Sequence, residues 1–415
     1  MPPPPRFRSL WVHFNFQILG GRPRAERLAS AFVIPSNFTI HEVPTVPPGA
    51  AIAAAIPRLA PPTLGALAGF AGTFTGNGFN TIFRPQNSTT PTPLPVPVPG
   101  SDNILELNLT SETLSFQPGL GSIPNRGTLQ GDIFLNGVPY VQSINDVTNP
   151  GQSTGIHFEP GIWLIVPKTT APDEAVSVAR MASIPHGTTI VAQGIAVTSA
   201  GPPNIAPVDI TPTVIKTGAK VPFPSQTASN QEAARIPQDL TPFMLHGTIT
   251  QALLDDPNSL LRAQIVGQTI LSTTTLIVKT DPTAPPTAPL FGGGTDNIAF
   301  LLGDPAAANP NAQAVTMSAI FWIETVQYTL QIPIFAPGQG PIIVEPDGPR
   351  PFGRPVPRFN VDPPVPVPTP RTLTVTSVQI QYSQTVNLNF KNLSWPHVSV
   401  ATLVPADPVN IPDSA

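Results

Sequence analysis

Apolar and polar positions alternate most clearly between His157 and Gly194, in the stretch HFEPGIWLIVPKTTAPDEAVSVARMASIPHGTTIVAQG. In His157–Val166 a period of two puts His157, Glu159, Gly161, Trp163 and Ile165 on one face. Phe158, Ile162, Leu164 and Val166 fall on the other. Pro167 to Glu174 turns the chain, Val176–Ile184 follows as a second strand, and the Pro185-His186-Gly187 corner leads into a third, Thr188–Gln193. The expectation is three consecutive antiparallel strands from one wall of a barrel.

The same period organises the chain on either side. Phe32 to Pro48 reads as a strand with a proline stop, and Ala50 to Pro61 as one or two helical turns. Leu67 to Pro85 reads as a first barrel strand, with Gly72, Gly76 and Gly78 letting another backbone or a ligand come close. Ile104 to Phe116 sets Leu105, Leu107 and Leu109 against Glu106, Asn108 and Thr110, and Thr128 to Asn145 suggests a hairpin around Asn136-Gly137. Gly201 to Pro237 is a long proline- and threonine-rich crossing loop, Asp239 to Asp256 holds one short helix, and Leu260 to Thr280 carries strand residues after a segment that also suits a helix. Val315 to Ile332 separates Trp322, Glu324, Val326 and Tyr328 from Phe321, Ile323 and Thr325. Leu373 to Phe390 and Trp395 to Val404 form a closing hairpin around Lys391-Asn392; a shift of apolar register between Val375 and Val378 suggests a bulge near Ser377.

Composition narrows the function more than the fold. Among 415 residues only 11% are charged, while 58 prolines fall between β-forming runs instead of replacing them. This is a folded β protein with proline-stiffened loops. A net charge of −4 without a basic cluster argues against nucleic acid as a partner. The absence of cysteine removes thiolate metal sites, disulfides and cysteine nucleophiles together. The six histidines form no metal-binding spacing, no serine sits in a nucleophile elbow, and the glycines at Gly76 and Gly78 lack the helix and Lys-Ser/Thr pair of a phosphate loop. No apolar run is long enough to span a membrane, and the expected location is cytoplasmic.

Taken in order, several segments resemble the nitrobindin and fatty-acid-binding-type calycin barrels. They are GTFTGNGF at Gly72 to Phe79, HFEPGIWLIVP, SIPHGTTIVAQG and the closing pair QIQYSQTVNLNFKNLSWPHVSVATL. The resemblance implies an all-β, calycin-like antiparallel barrel enlarged by long proline-rich loops and a β insertion. Residues 1–66 would be an N-terminal extension packing on the barrel, 67–200 its first part, 201–370 the insertion, and 371–415 the closing strands and tail. By motif position it also implies His397 as a haem ligand. Phe74 stands where that family has Trp, Leu164 or a neighbour where it has Arg, and 201–370 has no counterpart. The segments FEPGIWL, RMASIPHGT, FWIE and WPHVSVATL together resemble fungal hetero-Diels-Alderases of tropolonic sesquiterpenoid (xenovulene-type) pathways. That resemblance implies a cofactor-free pericyclase acting on hydrophobic terpenoid and polyketide-derived partners in an apolar barrel cavity. A haem-binding barrel and a non-catalytic carrier of hydrophobic ligands are the alternatives.

Candidate residues follow from the faces. His157 and Glu159 lie side by side and would form an acid/base pair, or else a surface pair if Phe158, Ile162 and Leu164 face inward. Arg180 is a charge inside an apolar strand, set either to polarise a ligand oxygen or to tie down Glu159 or an exposed edge. Tyr382 shares a face with Val378, Ile380, Val386, Leu388 and Phe390, where its hydroxyl would donate to a ligand carbonyl or to a backbone partner in the core. Trp163, Trp322, Glu324, Tyr328 and Phe74 are candidate substrate-binding residues. His186 shapes its corner.

Overall fold

Ten strands run up and down around a closed antiparallel barrel, each bonded to its neighbour in sequence. They are β1 (Gly72–Pro85), β2 (Asn103–Phe116), β3 (Ile133–Asp146), β4 (Thr154–Val166) and β5 (Ser177–Ile184). The second half comprises β6 (Thr188–Ala200), β7 (Thr269–Lys279), β8 (Gln313–Ile332), β9 (Arg371–Phe390) and β10 (Leu393–Pro405). Pairing of β10 with β1, from Phe74↔Pro405 to Thr81↔Val398, closes the ring. A computed structural model describes residues 63–281, 292–303, 311–336, 338, 340–363 and 365–411. The expected strand at 32–48, the helical turns at 50–61 and most of the expected extension at 1–66 lie outside them.

Closure dictates the rest of the architecture, because every stave then has one face inside and one outside. One end of the interior is an aromatic plug. Phe70, delivered by the short turn before β1, stacks on Phe116 with ring centroids 4.4 Å apart and meets Trp163 at 5.6 Å and Phe321 at 6.1 Å. Phe74 lies edge-on to Phe116. Each such pair adds about 0.5–1.5 kcal/mol beyond the area it buries. Gly76 and Gly78 let β10 pass: a Cβ at either would lie 2.0 Å from the Thr402 carbonyl oxygen or 2.1 Å from that of Val400. The backbone approach expected of these glycines is therefore made by the closing strand.

The outer wall is not uniform. Phe79 and Phe83 of β1, Leu105 and Leu107 of β2, Trp322 of β8, and Trp395, Val398 and Val400 of β10 are buried beneath residues 201–268. This segment wraps the barrel with Ile205, Ile210, Phe223 and Leu240 and three short helices, α1 (Thr241–Leu245), α2 (Gln251–Asp255) and α3 (Asn258–Gln264). The outer faces of β4 to β6 carry exposed Phe158, Met181, Val191, Ile195 and Val197. A third cluster gathers Leu330 and Ile332 at the end of β8 with Phe335, Phe359, Val361 and Val367, beside a small sheet of Ile342–Val344, Phe359–Val361 and Val409–Asn410.

Several expectations are corrected. The 201–370 region is not a separate insertion throughout, since β7 and β8 are staves of the barrel itself. Asp239 to Asp256 holds two short helices instead of one, and the ambiguous segment before β7 resolves as helix α3 followed by the strand. Asn136-Gly137 is no hairpin turn: β3 runs straight through it, pairing with Ile165 and Leu164 of β4. An Asn-Gly pair turns the chain only when its own flanks pair with each other. Lys391 and Asn392 do so, at φ of +50° and +61°, and they make the β9–β10 hairpin. The bulge lies at Ala314/Thr316 of β8, while β9 keeps its register through Ser377. The apolar register changes there because Leu373 and Val375 project beyond the barrel and pack against the third cluster.

Candidate functional site

Above the aromatic plug the interior turns polar, and burial there requires every polar group to find a partner. Arg180 of β5 is the hub. Its Nε donates to the Tyr140 hydroxyl at 2.7 Å, Nη1 to Gln384 Oε1 at 2.5 Å and Nη2 to Glu159 Oε1 at 2.5 Å. The guanidinium carbon lies 5.6 Å, 5.8 Å and 5.2 Å from the ring centroids of Tyr140, Trp163 and Phe321, so the charge rests on the plug below it. Gly161 makes this possible, because a Cβ there would lie 2.6 Å from the Tyr140 phenol. Tyr140 also donates to Glu159 Oε1, and His157 bonds the other oxygen, Oε2, through Nε2 at 3.2 Å.

A second carboxylate stands apart from this hub. Glu112 of β2 accepts from the Tyr382 hydroxyl at 2.6 Å, the Thr110 hydroxyl at 2.8 Å and Gln142 Nε2 at 3.3 Å. Gln142 Nε2 also donates to the Tyr382 oxygen at 3.0 Å. The two acids are therefore tuned in opposite directions. Burial alone would raise both; at Glu159 the charge of Arg180 and bonds from His157 and Tyr140 overcome it and bring the carboxyl down to about 2. At Glu112, with no cation in contact, burial outweighs three hydrogen bonds and the carboxyl is raised. Burial also drives the Tyr382 phenol well above its ordinary value, with Glu112 adding to the effect.

This belt floors a cavity of about 240 Å³ at the other end of the barrel. Its walls are largely apolar, with Ile82, Ile144, Ile184, Ile190, Val386 and Leu388, and Leu301 of a short helix α4 (Ala299–Leu302) at its edge. The polar groups lining it are His157, His186, His397, Gln142, Tyr382, Gln384, Thr188 and Ser399. Two amides have fixed orientations. Arg180 has only donors, so Gln384 presents Oε1 to it and keeps Nε2 as a donor for the cavity. Gln142 commits Nε2 to Glu112 and Tyr382, which keeps its Oε1 as an acceptor. Because Glu159 is ionised, His157 gives it the Nε2 hydrogen, and Nδ1 is the ring nitrogen not committed to that bond. The His186 ring lies 5.7 Å from that of His157, and burial followed by the His157 charge lowers its pKa.

His157, Glu159, Arg180 and Tyr382 thus meet inside the barrel, and the solvent-facing alternative for the first pair does not hold: Phe158, on the opposite face, is 49% exposed while Glu159 is fully buried. Trp163 and Phe74 belong to the aromatic plug and do not line the cavity. Trp322, Glu324 and Tyr328 face the other way. Trp322 packs under the 201–268 wrap, Tyr328 packs against Phe359 at 5.8 Å, and Glu324 accepts from Gln379 at 2.6 Å. Burial, opposed by the Gln379 bond, raises the Glu324 carboxyl to about 8. Phe390, expected to share the inward face of Tyr382, instead stacks on Trp395 in the outer cluster, 4.5 Å between centroids.

His397 does line the cavity, yet its surroundings do not fit a haem. Asn80 Nδ2, which only donates, bonds its Nε2 at 2.8 Å and also donates to Ser399 Oγ at 2.7 Å. The neutral ring then carries its hydrogen on Nδ1, so neither nitrogen offers a lone pair to iron. Burial, reinforced by the charges of His157 and His186, pushes the ring down to about 3, which keeps it neutral.

The sequence reading missed Glu112, Tyr140, Gln142 and Gln384. For Glu112 a signal existed: it shares parity with Leu114 and Phe116, an acid two residues from the plug. Leu105 and Leu107 lie on the opposite face, which is apolar only where the wrap covers it. No group of three or more His, Asp or Glu among the described residues is arranged to hold a metal ion, and no helix among them is long and apolar enough to cross a membrane.

No protein-family model matches the chain, and no curated protein matches it. Among solved structures it is similar to Rv2717c from M. tuberculosis, with a TM-score of 0.31 and 10% sequence identity over 83% of this chain and 98% of that one. The all-β fold is a closed antiparallel barrel compatible with a ligand-binding cavity, and the chemistry of that cavity rests on its own residues.

Proposed function

We propose that the protein is a cofactor-free pericyclase of the hetero-Diels-Alderase type, which joins an oxygen-bearing heterodiene to an alkene at the floor of the barrel cavity. The observation that carries this reading is the pairing of an apolar wall with a carboxylate-backed His157 and an inward-turned Gln384 amide. His157 takes a phenolic or enolic proton as a hydroxyl-bearing precursor loses water to give a quinone-methide-like diene. Gln384 Nε2 donates to the carbonyl oxygen of that diene and polarises it, and Ile82, Ile144, Ile190 and Val386 hold the alkene against it. Holding both partners in a near-attack arrangement contributes several kcal/mol, up to about 7–11 in the best cases.

The cavity, about 240 Å³, lies below the roughly 300–1,000 Å³ of sites that enclose drug-sized ligands. It therefore takes the reacting ends of terpenoid and polyketide-derived partners, with their chains leaving through the mouth. The resemblance to fungal secondary-metabolite cyclases supports the same reading. The test uses 2-(hydroxymethyl)phenol with ethyl vinyl ether and follows 2-ethoxychroman on a chiral column. Faster formation than in buffer with an excess of one enantiomer supports it; racemic product at the buffer rate sinks it. Binding of the phenol without acceleration would indicate a carrier of hydrophobic ligands.

A further inference from the structure

The reaction proposed above has a second proton requirement: the departing hydroxyl must leave as water. The cavity offers one hydroxyl that leads away from solvent to a buried acid. Tyr382 lines the cavity, and 2.6 Å behind its oxygen lies Glu112, itself absent from the cavity wall. Glu112 is buried, and its contacts are the Thr110 and Tyr382 hydroxyls and the Gln142 amide nitrogen. The guanidinium of the belt, Arg180, is committed to Glu159, Tyr140 and Gln384. The partners differ in a useful way. Gln142 Nε2 can only donate, whereas a hydroxyl can reverse, accepting from a protonated carboxyl while turning its own hydrogen elsewhere. Tyr382 is the one of the two hydroxyls that lines the cavity.

We propose that Glu112 is the proton store of the site, delivering its proton through the Tyr382 hydroxyl to a leaving oxygen bound in the cavity. This rests on the cyclase reading of the same cavity. In the step, the carbon–oxygen bond of the hydroxymethyl group breaks and its electron pair goes to the oxygen. That oxygen takes the Tyr382 proton and leaves as water; Tyr382 takes the Glu112 proton; His157 takes the phenolic proton. The alcohol becomes a quinone methide and water, with one proton moved from the Glu112 side to His157, and exchange with solvent resets both. No oxidant or reductant enters. Glu112 acts through Tyr382 and is a positioning residue, whereas Tyr382 touches the substrate. The arrangement separates the two carboxylates by role: Arg180 fixes Glu159 as the anion behind the base, and the lack of a cation lets Glu112 hold a proton for the acid. The groups facing Glu112 are Tyr382, Thr110 and Gln142, and His157 is the titratable group whose charge reaches it.

Infrared difference spectra of the full chain at neutral pH test this without any ligand. Glu112→Gln should remove a carbonyl band of a protonated carboxylic acid, and Glu324→Gln, on the outer wall, should remove a separate one. Tyr382→Phe should keep the Glu112 band. With 2-(hydroxymethyl)phenol and ethyl vinyl ether, Glu112→Gln and Tyr382→Phe should each lower chroman formation by about a hundredfold while binding the phenol within about threefold of the wild type. If Glu112→Gln is poorly folded, Glu112→Asp serves in its place, retaining an acid band but losing turnover because the shorter side chain withdraws from Tyr382. A spectrum in which Glu112→Gln removes only a carboxylate band overturns the proposal, as does wild-type turnover in Tyr382→Phe. Absence of chroman formation in the wild type would defeat the cyclase reading instead, leaving the infrared result to decide separately whether Glu112 holds a proton.

Discussion

Arg180 and Arg235 are both fully buried, and they are satisfied in opposite ways. Arg180 bonds only side chains, Tyr140, Gln384 and Glu159, and stands over three aromatic rings. Arg235, in the wrap, bonds six backbone carbonyls, those of Ser225, Thr227, Ala228, Asn230, Pro237 and Gln238. The charge states reflect this. Despite burial, Glu159 and Tyr140 raise the Arg180 pKa further, whereas burial lowers Arg235 to about 10, with Asp239 only partly opposing it. A guanidinium caged by carbonyls fixes the path of a loop. One that orders a carboxylate, a phenol and an amide fixes the donors and acceptors that a cavity presents, and that is the difference between a staple and the hub of a site.

The largest effect should come from breaking the hub. Arg180→Met leaves Glu159 buried without its charge partner and should cost about 3–5 kcal/mol in urea denaturation. Adding Glu159→Gln should recover most of that loss, and a single variant with an unchanged midpoint would remove Arg180 from its central place. Acid should act on the same pair. The Glu159 carboxyl is lowered from 4.5 to about 2 on folding, so its stabilisation is complete above pH 4.5 and is lost as pH falls through 2. Its size is on the order of 3 kcal/mol, and the part of the acid slope that disappears in Glu159→Gln measures it.

Arg235→Met should cost about 2 kcal/mol, since backbone carbonyls of a surface wrap can partly recover water. Limited proteolysis should then cut within 201–268 sooner, while chroman formation stays within about twofold of the wild type; Arg180→Met should abolish it. The opposite pH dependence belongs to Glu324, under the outer cover. Its carboxyl is raised from 4.5 to about 8, so the folded state binds the proton more tightly and stability declines as pH rises from 4.5 to 8. Glu324→Gln should flatten that decline, which is on the order of 5 kcal/mol across the interval.

Much of the fold is legible in the alternation. His157–Val166 and Thr188–Gln193 fall within β4 and β6, Val176–Ile184 begins one residue before β5, the three come in their expected order, and the Lys391-Asn392 turn joins β9 to β10 as read. Half of the site is legible for the same reason, since His157 and Glu159 share a face wherever that face points. Trp322, Glu324 and Tyr328 show where such reading stops. Their pattern matches that of His157, Glu159 and Trp163, and only the closed ring with its one-sided wrap turns one set inward and the other outward. Glu112 escaped because β2 changes character along its length: Leu105 and Leu107 are buried on the outer face under residues 201–268, whereas beside Glu112 that face is exposed at Ser111 and Thr113, so no single alternation marks the inward side.

The sequence by itself determined the β class, the order of the staves and which side chains travel together, because a period of two is a local property of extended backbone. The tertiary structure decided which face is the interior, that β7 and β8 belong to the barrel, and that Glu112, Tyr382, Gln142, Arg180 and Glu159 form one belt. Those contacts join residues as far apart as 270 positions, Glu112 and Tyr382, and ring closure, which no local pattern encodes, is what brings them within hydrogen-bonding distance.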